Sequence, residues 1–315
     1  MHHRGFPKIA GPGEHPGAAP PGGPWVALEK IHGAQMVVAI AGEEVRLGKR
    51  KAWLGHDEAF FGWQLLRAPL TAAVQAARAR LAAHTVVLYG ELYGGAYPHP
   101  EVAGVPGLAP VQTGIWYAPD LRYAVFDVLV ANGEDDEGEF LAHREVVALA
   151  RELGLDSPPV LQSGPRAVVV MVPVRQPTRV PGSLGLPELP GNLAEGVVLK
   201  PDARARPSAR IVYKQKIAEF DELRFGESEA WDAEQRLDLA ALLAHARRLV
   251  NPPRIASAAS KWGLGDRGVL LDEISLDVMI DLAAAFPAAV AALSAADEEL
   301  LRAEILIIIA AGALT

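Results

Sequence analysis

Three lysines in this sequence are spaced so that they could act together on a phosphate. Lys30 ends an apolar run in WVALEKIHG, and Lys214 and Lys216 lie two residues apart in YKQK. Alternate residues of a strand share a face, so Lys214 and Lys216 point the same way. A lysine becomes a nucleophile when burial or nearby positive charge depresses its pKa. If their face meets Lys30, the two lysines would lower the pKa of Lys30 and hold a phosphate.

Carboxylates and a histidine accompany these lysines in strand-like segments. His32 follows Lys30 by two residues, Glu91 lies in LYGELYG, Asp127 in AVFDVL and Glu195 in EGVVLK. Each residue alone has an ordinary structural explanation. For Asp127 a buried salt bridge is the commoner outcome, because a buried charge needs a partner or a metal. It is the ordered set that favours a catalytic site.

The order of these segments resembles that of the covalent nucleotidyltransferases, in which a lysine carries AMP or GMP. EKIHG is similar to motif I, LYGELYG to motif III, AVFDVL to motif IIIa, EGVVLK to motif IV and YKQK to motif V. DNA ligases and capping guanylyltransferases usually have aspartate where this chain has His32. The KxHG form resembles the RNA ligase 2 family, the ATP-dependent double-strand-type RNA ligases. That family usually has asparagine at the position of Gln35. Glutamine keeps the side-chain amide but extends it further from the backbone.

The resemblance implies a role for each matching residue. Lys30 would attack the α-phosphate of ATP, and His32 would act later, on the RNA 5′-phosphate. The implied catalytic set is therefore Lys30, His32, Lys214 and Lys216.

The implied nucleotide contacts form a second set. Glu29 would lie beside adenine through its backbone, Arg50 would contact a phosphate, and Glu91 would contact the ribose. Phe126 would stack on adenine, and Lys214 and Lys216 would neutralise charge on the phosphates. A Mg²⁺ or Mn²⁺ ion would take Glu195 and Asp127 as oxygen ligands.

Composition excludes several kinds of site. The chain of 315 residues has no cysteine, which excludes disulfides, thiolate zinc sites and cysteine nucleophiles and favours a cytoplasmic location. The apolar run ILIIIAAGAL is too short for a bilayer and predicts a buried terminal helix, so no membrane is expected. A net charge of −8 does not exclude RNA, because phosphate contacts need only local clusters such as RLGKRK.

Apolar periodicity predicts an α+β protein. Strands are expected at 25–40, 85–95, 122–130, in PRAVVVMVPV and LAEGVVLKP and near YKQK, and helices at 68–84 and 141–153. We predict an N-terminal extension with a Gly/Pro-rich tether (1–24), a nucleotidyltransferase domain built on antiparallel sheets (25–228) and an all-α C-terminal domain (229–315).

Two alternatives remain open at this stage. The chain could be a DNA ligase or a capping-type enzyme, against which KxHG argues, or a catalytically degenerate RNA-binding module. The acidic helical domain, with Arg254 and Lys261 in NPPRIASAASKWG, could contact RNA or dock a protein partner.

Overall fold

Two antiparallel sheets form the first part of the protein. The computed structural model describes residues 1–9, 22–133, 135–220, 232, 234–252, 254–255, 258 and 267–312. It divides the chain into two compact units, the first made of 1–54, 74–104 and 110–229 and the second of 55–73, 105–109 and 230–315.

The larger sheet has six strands in the order β4-β3-β2-β5-β6-β7. Long apolar runs make its central strands, whose residues are buried on both faces. The strands are β2 (Ala34–Ala41), β3 (Glu44–Lys49), β4 (Ala52–Trp53), β5 (Thr85–Ala96), β6 (Ala118–Ala131) and β7 (Glu139–Phe140).

The smaller sheet has four strands in the order β10-β9-β1-β8. They are β1 (Pro24–Lys30), β8 (Val160–Pro165), β9 (Gly196–Pro201) and β10 (Tyr213–Lys216). Alternation gives each strand two faces, and one face packs Trp25, Ala27, Val197 and Leu199 into an apolar cluster. The opposite face carries Lys30.

Two predicted helices are present, and one predicted strand is wrong. Helix α1 spans Arg67–Leu81 and α2 spans His143–Glu152, where the Glu145 carboxylate accepts the Ala142 N–H at 2.9 Å. In PRAVVVMVPV the strand β8 ends at Pro165 and a short helix, α3 (Arg166–Val169), follows. An apolar run without alternation does not distinguish strand from helix. A second short helix, α4, spans Val180–Ser183.

The first nine residues pack on the first unit instead of forming an extension. The Phe6 ring lies 5.2 Å from Tyr89 and 5.0 Å from Phe126, between ring centroids. The Tyr89 hydroxyl donates to the Arg4 carbonyl at 3.0 Å. The Gly/Pro-rich tether falls mostly on residues 10–21, outside the described residues.

Helices make up the described part of the second unit. After a 3-10 turn at Trp63–Leu66 come α5 (Leu239–Leu249), α6 (Arg267–Ala285), α7 (Pro287–Ala291) and α8 (Ala295–Gly312). Asp238 caps α5 by accepting the Ala241 N–H at 2.8 Å. Leu242, Ile274, Leu282 and Ile305 belong to one buried cluster.

The predicted domain limits also differ from these units in two internal segments. Residues 55–73 and 105–109 belong to the second unit, whereas the sequence analysis assigned them to the domain 25–228. Their apolar side chains do not reveal which core they join. The predicted limit at 228–229 lies outside the described residues. No helix in the described part of the chain has the length and apolar character needed to cross a membrane.

A buried ion network crosses the second unit. Asp281 is fully buried and accepts from Arg254 at 2.6 Å and from Arg67 at 2.6 Å. Asp277 accepts from the same two arginines. Arg254 is only 2% exposed, so its side chain is not presented to RNA as the sequence analysis considered. Lys261 lies outside the described residues.

Asp281→Asn should strongly destabilise the second unit, because it leaves two arginines with one carboxylate. We expect a loss of about 3–5 kcal/mol in the free energy of unfolding, measured by urea denaturation. The control is Glu298→Gln, which removes the exposed pair with Arg302 (2.8 Å) and should cost less than about 1 kcal/mol. Equal small losses in both variants would contradict a structural role for the network.

Candidate active site

Strand register brings the three lysines to one face of the smaller sheet. Lys30 on β1 lies opposite Gly196 on β9, and Gly196 lies opposite Lys216 on β10. Lys214 lies two pairs along, opposite Val198 and on the same face as Lys216. Because directly opposite residues share a face, the predicted common face of these lysines is confirmed. We call it the lysine face.

Glu195 contacts two lysines and a histidine at the end of the lysine face. Its Oε2 atom lies 2.6 Å from Lys30 Nζ and 3.5 Å from His32 Nδ1, and its Oε1 atom lies 2.9 Å from Lys216 Nζ. The side chain is 1% exposed. Burial alone would raise the pKa of Glu195, but His32 and Lys30 outweigh it and hold the pKa at about 2. Glu195 is therefore ionised at neutral pH and attracts the two lysines.

Glu91 supplies a second carboxyl close to Lys30. Burial raises the pKa of Glu91 to about 7, and the nearby Glu195 charge adds to this, while Lys30, the Gly33 N–H and Arg50 oppose it. A Cβ on Gly33 would lie 2.2 Å from the Leu92 carbonyl oxygen, so only glycine allows this close approach. Arg50 is exposed in the turn between β3 and β4.

His32 lies in the short segment between β1 and β2 and is held from two sides. Its backbone N–H donates to the Tyr117 hydroxyl at 2.8 Å. Its ring meets Phe220 edge-on, 5.1 Å between centroids. Tyr117 is a residue that the sequence analysis missed, because no motif contains it and an apolar neighbourhood is the default expectation for a tyrosine.

An apolar cluster supports the residues that carry charge. Ile31, Tyr93 and Ile217 belong to it, each one or two positions beyond Lys30, Glu91 or Lys216. The Ile217 N–H donates to the Glu195 carbonyl at 3.0 Å. The cluster thus connects the ends of β1, β5 and β10 beneath the site.

The Glu29 side chain lies on the face opposite to Lys30. Its carboxylate accepts the Thr178 hydroxyl and the Arg179 N–H, the latter at 2.7 Å. Alternation along β1 requires this direction. Burial raises the pKa of Glu29 despite these hydrogen bonds. The carboxylate is therefore used structurally, and the contact with adenine through the backbone stays a prediction.

Phe126 occupies a β-bulge, and Asp127 follows it. Tyr89 pairs with Asp127 while Gly90 pairs with Val125, which leaves Phe126 without a partner on β5. The Phe126 carbonyl accepts from Lys200 Nζ at 3.0 Å. The bulge is therefore fixed by a lysine of the facing sheet.

Asp127 forms a buried ion triad instead of joining Glu195. Its Oδ1 atom lies 2.9 Å from Lys200 Nζ, and its Oδ2 atom contacts Arg210. Burial alone would raise the pKa of Asp127, but Arg210 and Lys200 outweigh it and hold the pKa below its usual range. Both carboxylate oxygens are thus engaged by cations, which is the ordinary structural outcome and does not favour the predicted metal role.

The Gln35 side chain lies on the same face of the larger sheet as Glu91. Gln35 lies opposite Glu91 in the register of β2 and β5. Its Nε2 atom is buried and has no hydrogen-bond partner. Gln35 thus places an unused buried donor on the strand next to the one that carries Glu91.

No metal cage is present among the described side chains. They contain no group of three or more His, Cys, Asp or Glu arranged around a common point. A hard cation here would need oxygen ligands from elsewhere, and phosphates are the usual source for Mg²⁺.

Comparison with known proteins identifies relatives. The model of the RNA ligase family matches residues 23–216, which confirms the resemblance to RNA ligases. Mitochondrial RNA-editing ligase 2 of Trypanosoma brucei brucei is 33% identical over 227 residues, which is 63% of this chain and 55% of that protein. RNA-editing ligase 1 of the same organism is 27% identical over 236 residues, which is 64% of this chain and 50% of that protein.

The chain spans about half the length of these curated relatives. Among solved structures, a Naegleria gruberi RNA ligase with pyrophosphate matches at a TM-score of 0.42 and 15% identity, covering 64% of this chain and 51% of that chain.

Asp127→Asn and Glu195→Gln should show which of the two carboxylates is structural and which binds a metal ion. Asp127→Asn removes the anion between two buried cations, so we expect a loss of about 3–5 kcal/mol in the free energy of unfolding and unchanged Mn²⁺ affinity. Glu195→Gln should weaken Mn²⁺ binding in the presence of a nucleotide, measured by electron paramagnetic resonance. Equal weakening of Mn²⁺ binding in both variants would restore Asp127 as a ligand.

Proposed function

The chain belongs to the RNA ligase family, and from that premise we propose that it seals RNA 5′-phosphate and 3′-hydroxyl ends with ATP. The observation that carries the proposal is the contact of Lys30 with Glu195, on a face shared with Lys216. Lys30 supplies an amine nucleophile, Glu195 an anion that holds it, and Lys216 a cation close by. This arrangement suits the transfer of a nucleotidyl group to an amine.

Lys30 performs the first step. Its neutral amine attacks the α-phosphorus of ATP, a phosphorus–nitrogen bond forms, and the bond to pyrophosphate breaks. Lys30 must first lose its ammonium proton to solvent, and the nitrogen releases a second proton to solvent as the phosphoramidate forms. The Glu195 carboxylate, 2.6 Å from Lys30 Nζ, holds the side chain in place before the attack. Lys214 and Lys216 then offset the negative charge that develops on the phosphate oxygens.

The remaining nucleotide contacts follow the predicted roles. Phe126 stacks on adenine from its bulge, Glu91 accepts from the ribose hydroxyls, and Arg50 contacts a phosphate. An ionised Glu91 accepts these hydrogen bonds best, so nucleotide binding should depend on pH near 7, where its pKa lies.

Glu195 would hold a divalent cation together with the ATP phosphates. Mg²⁺ binds through one or two carboxylates plus substrate phosphates and keeps several waters, and the single carboxylate of Glu195 fits that pattern. A bound Mg²⁺ or Mn²⁺ ion neutralises phosphate charge. Both carboxylates contact two cations, but the partners of Glu195, Lys30 and Lys216, are 22% and 29% exposed and can move aside for a metal ion. Asp127 has no place in this set, because its partners Lys200 and Arg210 are buried, at 6% and 8% exposure.

Two further steps complete the reaction. The 5′-phosphate of RNA attacks the phosphorus of lysyl-AMP, which regenerates the Lys30 amine and forms an adenylylated RNA end. The 3′-hydroxyl then attacks the 5′-phosphate and AMP leaves. His32, 3.5 Å from Glu195, acts in this later stage.

The substrate and partners of the whole protein belong to the same proposal. RNA with a nick or a bridged break is the expected substrate, and the helical C-terminal domain could dock a protein partner. The cytoplasmic location stays a prediction.

Radiolabelled ATP with Mg²⁺ should label the wild-type protein through Lys30. Lys30→Ala should take up no label, because the nucleophile is gone. Lys8→Ala, which removes an exposed lysine far from YKQK in sequence, should label like the wild type. Label on Lys30→Ala would refute the proposed mechanism, and labelling by GTP in place of ATP would indicate a capping-type enzyme. Wild-type protein that takes up no label would indicate a degenerate RNA-binding module.

Nicked duplexes should be sealed faster when the 3′-hydroxyl strand ends in ribonucleotides. We expect at least about a tenfold advantage in sealing rate over deoxyribonucleotide ends, because the terminal 2′-hydroxyl offers hydrogen bonds that DNA lacks. Both substrates carry the same 5′-phosphate strand, so the comparison isolates the 3′ end. Equal rates would indicate a DNA ligase.

A further inference from the structure

The Tyr117 hydroxyl is a polar group inside the apolar support of the site. Tyr117 is 2% exposed and belongs to the cluster with Ile31 and Ile217. Its oxygen accepts the His32 N–H at 2.8 Å. This bond is the described link between the tyrosine hydroxyl and the segment that carries the nucleophile.

The Tyr117 ring is held firmly in this position. The Tyr93 ring meets it edge-on at 5.5 Å between centroids. The Tyr93 hydroxyl donates to Asp156 at 2.9 Å, and Arg122 donates to the same carboxylate at 2.7 Å. An aromatic ring fixed by packing and by a neighbour's ion pair presents its hydroxyl at a defined point.

The hydroxyl is also chemically constant. Burial raises the pKa of Tyr117 well above its usual range, and the nearby carboxylates of Glu29, Glu195 and Glu91 add to this. The hydroxyl therefore stays protonated at neutral pH, and its oxygen remains available as an acceptor.

Two consecutive amides after β1 have acceptors from different parts of the fold. The His32 N–H meets Tyr117, and the Gly33 N–H meets the Glu91 carboxyl. Strand pairing no longer controls the backbone beyond Lys30, where β1 ends. The direction of the His32 side chain therefore depends on these two acceptors.

We propose that Tyr117 is a positioning residue that acts through His32. By accepting the His32 N–H it directs the imidazole to Glu195, where it serves the transfer of AMP from Lys30 to RNA. This inference rests on the proposed function. Lys30 is held by β1 and by Glu195, so the first step should depend little on Tyr117.

Tyr117→Phe removes the acceptor and keeps the ring. We expect the rate of AMP transfer from lysyl-AMP to a 5′-phosphorylated RNA nick to fall about tenfold, since a small displacement of a reacting group is costly. The rate of lysyl-AMP formation should change less than about twofold, because Lys30 keeps its own supports. Single-turnover assays on pre-adenylylated protein separate the two rates.

A double-mutant cycle with His32→Ala tests whether Tyr117 acts through His32. If it does, adding Tyr117→Phe to His32→Ala causes no further loss of AMP transfer. Losses that multiply, or full AMP transfer by His32→Ala alone, overturn the inference. Tyr97→Phe is the matched control, since it removes the hydroxyl of another buried tyrosine, which donates to the Pro187 carbonyl and is not bonded to the His32 amide. A melting temperature and a transfer rate that fall equally in both tyrosine variants would assign Tyr117 a purely structural role.

Failure of the proposed function gives a different result. If wild-type protein forms no lysyl-AMP, the ligase proposal fails before Tyr117 is tested. If wild-type protein seals RNA and the two losses multiply, only the inference about Tyr117 fails.

Discussion

A single buried carboxylate keeps the positive charges of the site together. Lys30 and Lys216 would repel one another without Glu195, and Glu195 would not remain ionised in a buried position without Lys30, Lys216 and the His32 ring beside it. Neither side of this interaction is stable alone. The arrangement of the strands therefore has to place an anion and several cations within a few ångströms of each other.

The backbone around Glu195 shows how tightly that placement is set. A Cβ on Gly196 would lie 2.0 Å from the Gln215 carbonyl oxygen, so the approach of β9 to β10 depends on glycine. The Ile217 N–H then fastens the Glu195 carbonyl at 3.0 Å. A side chain at position 196 would separate Lys216 from Glu195 before any charge was altered.

Patterns with a period of two could be predicted well from the sequence. Alternation put Lys214 and Lys216 on one face, and register extended that face to Lys30. Long apolar runs predicted β5 and β6, and helical spacing predicted α1 and α2. These features depend on neighbours in the chain, which a sequence displays directly.

Contacts between distant segments could not be predicted in the same way. The partners of Asp127 come from β9 and from the segment before β10, and Glu29 finds its partners at Thr178 and Arg179. Tyr117 and the membership of residues 55–73 in the second unit are of the same kind. Each requires knowledge of which segments meet, and that follows from the folded topology and not from local pattern.

The bulge at Phe126 has a consequence for how such a site can change. Phe126 has no partner on β5, and Lys200 holds its carbonyl. The residue is therefore fixed in the sheet although it takes no part in the pairing of β5 with β6. Bulges commonly re-aim a side chain in this way. Under the proposed role of Phe126, a substitution here would change the surface offered to a base while the strands on both sides keep their register, and its structural effect would fall on the contact with Phe6.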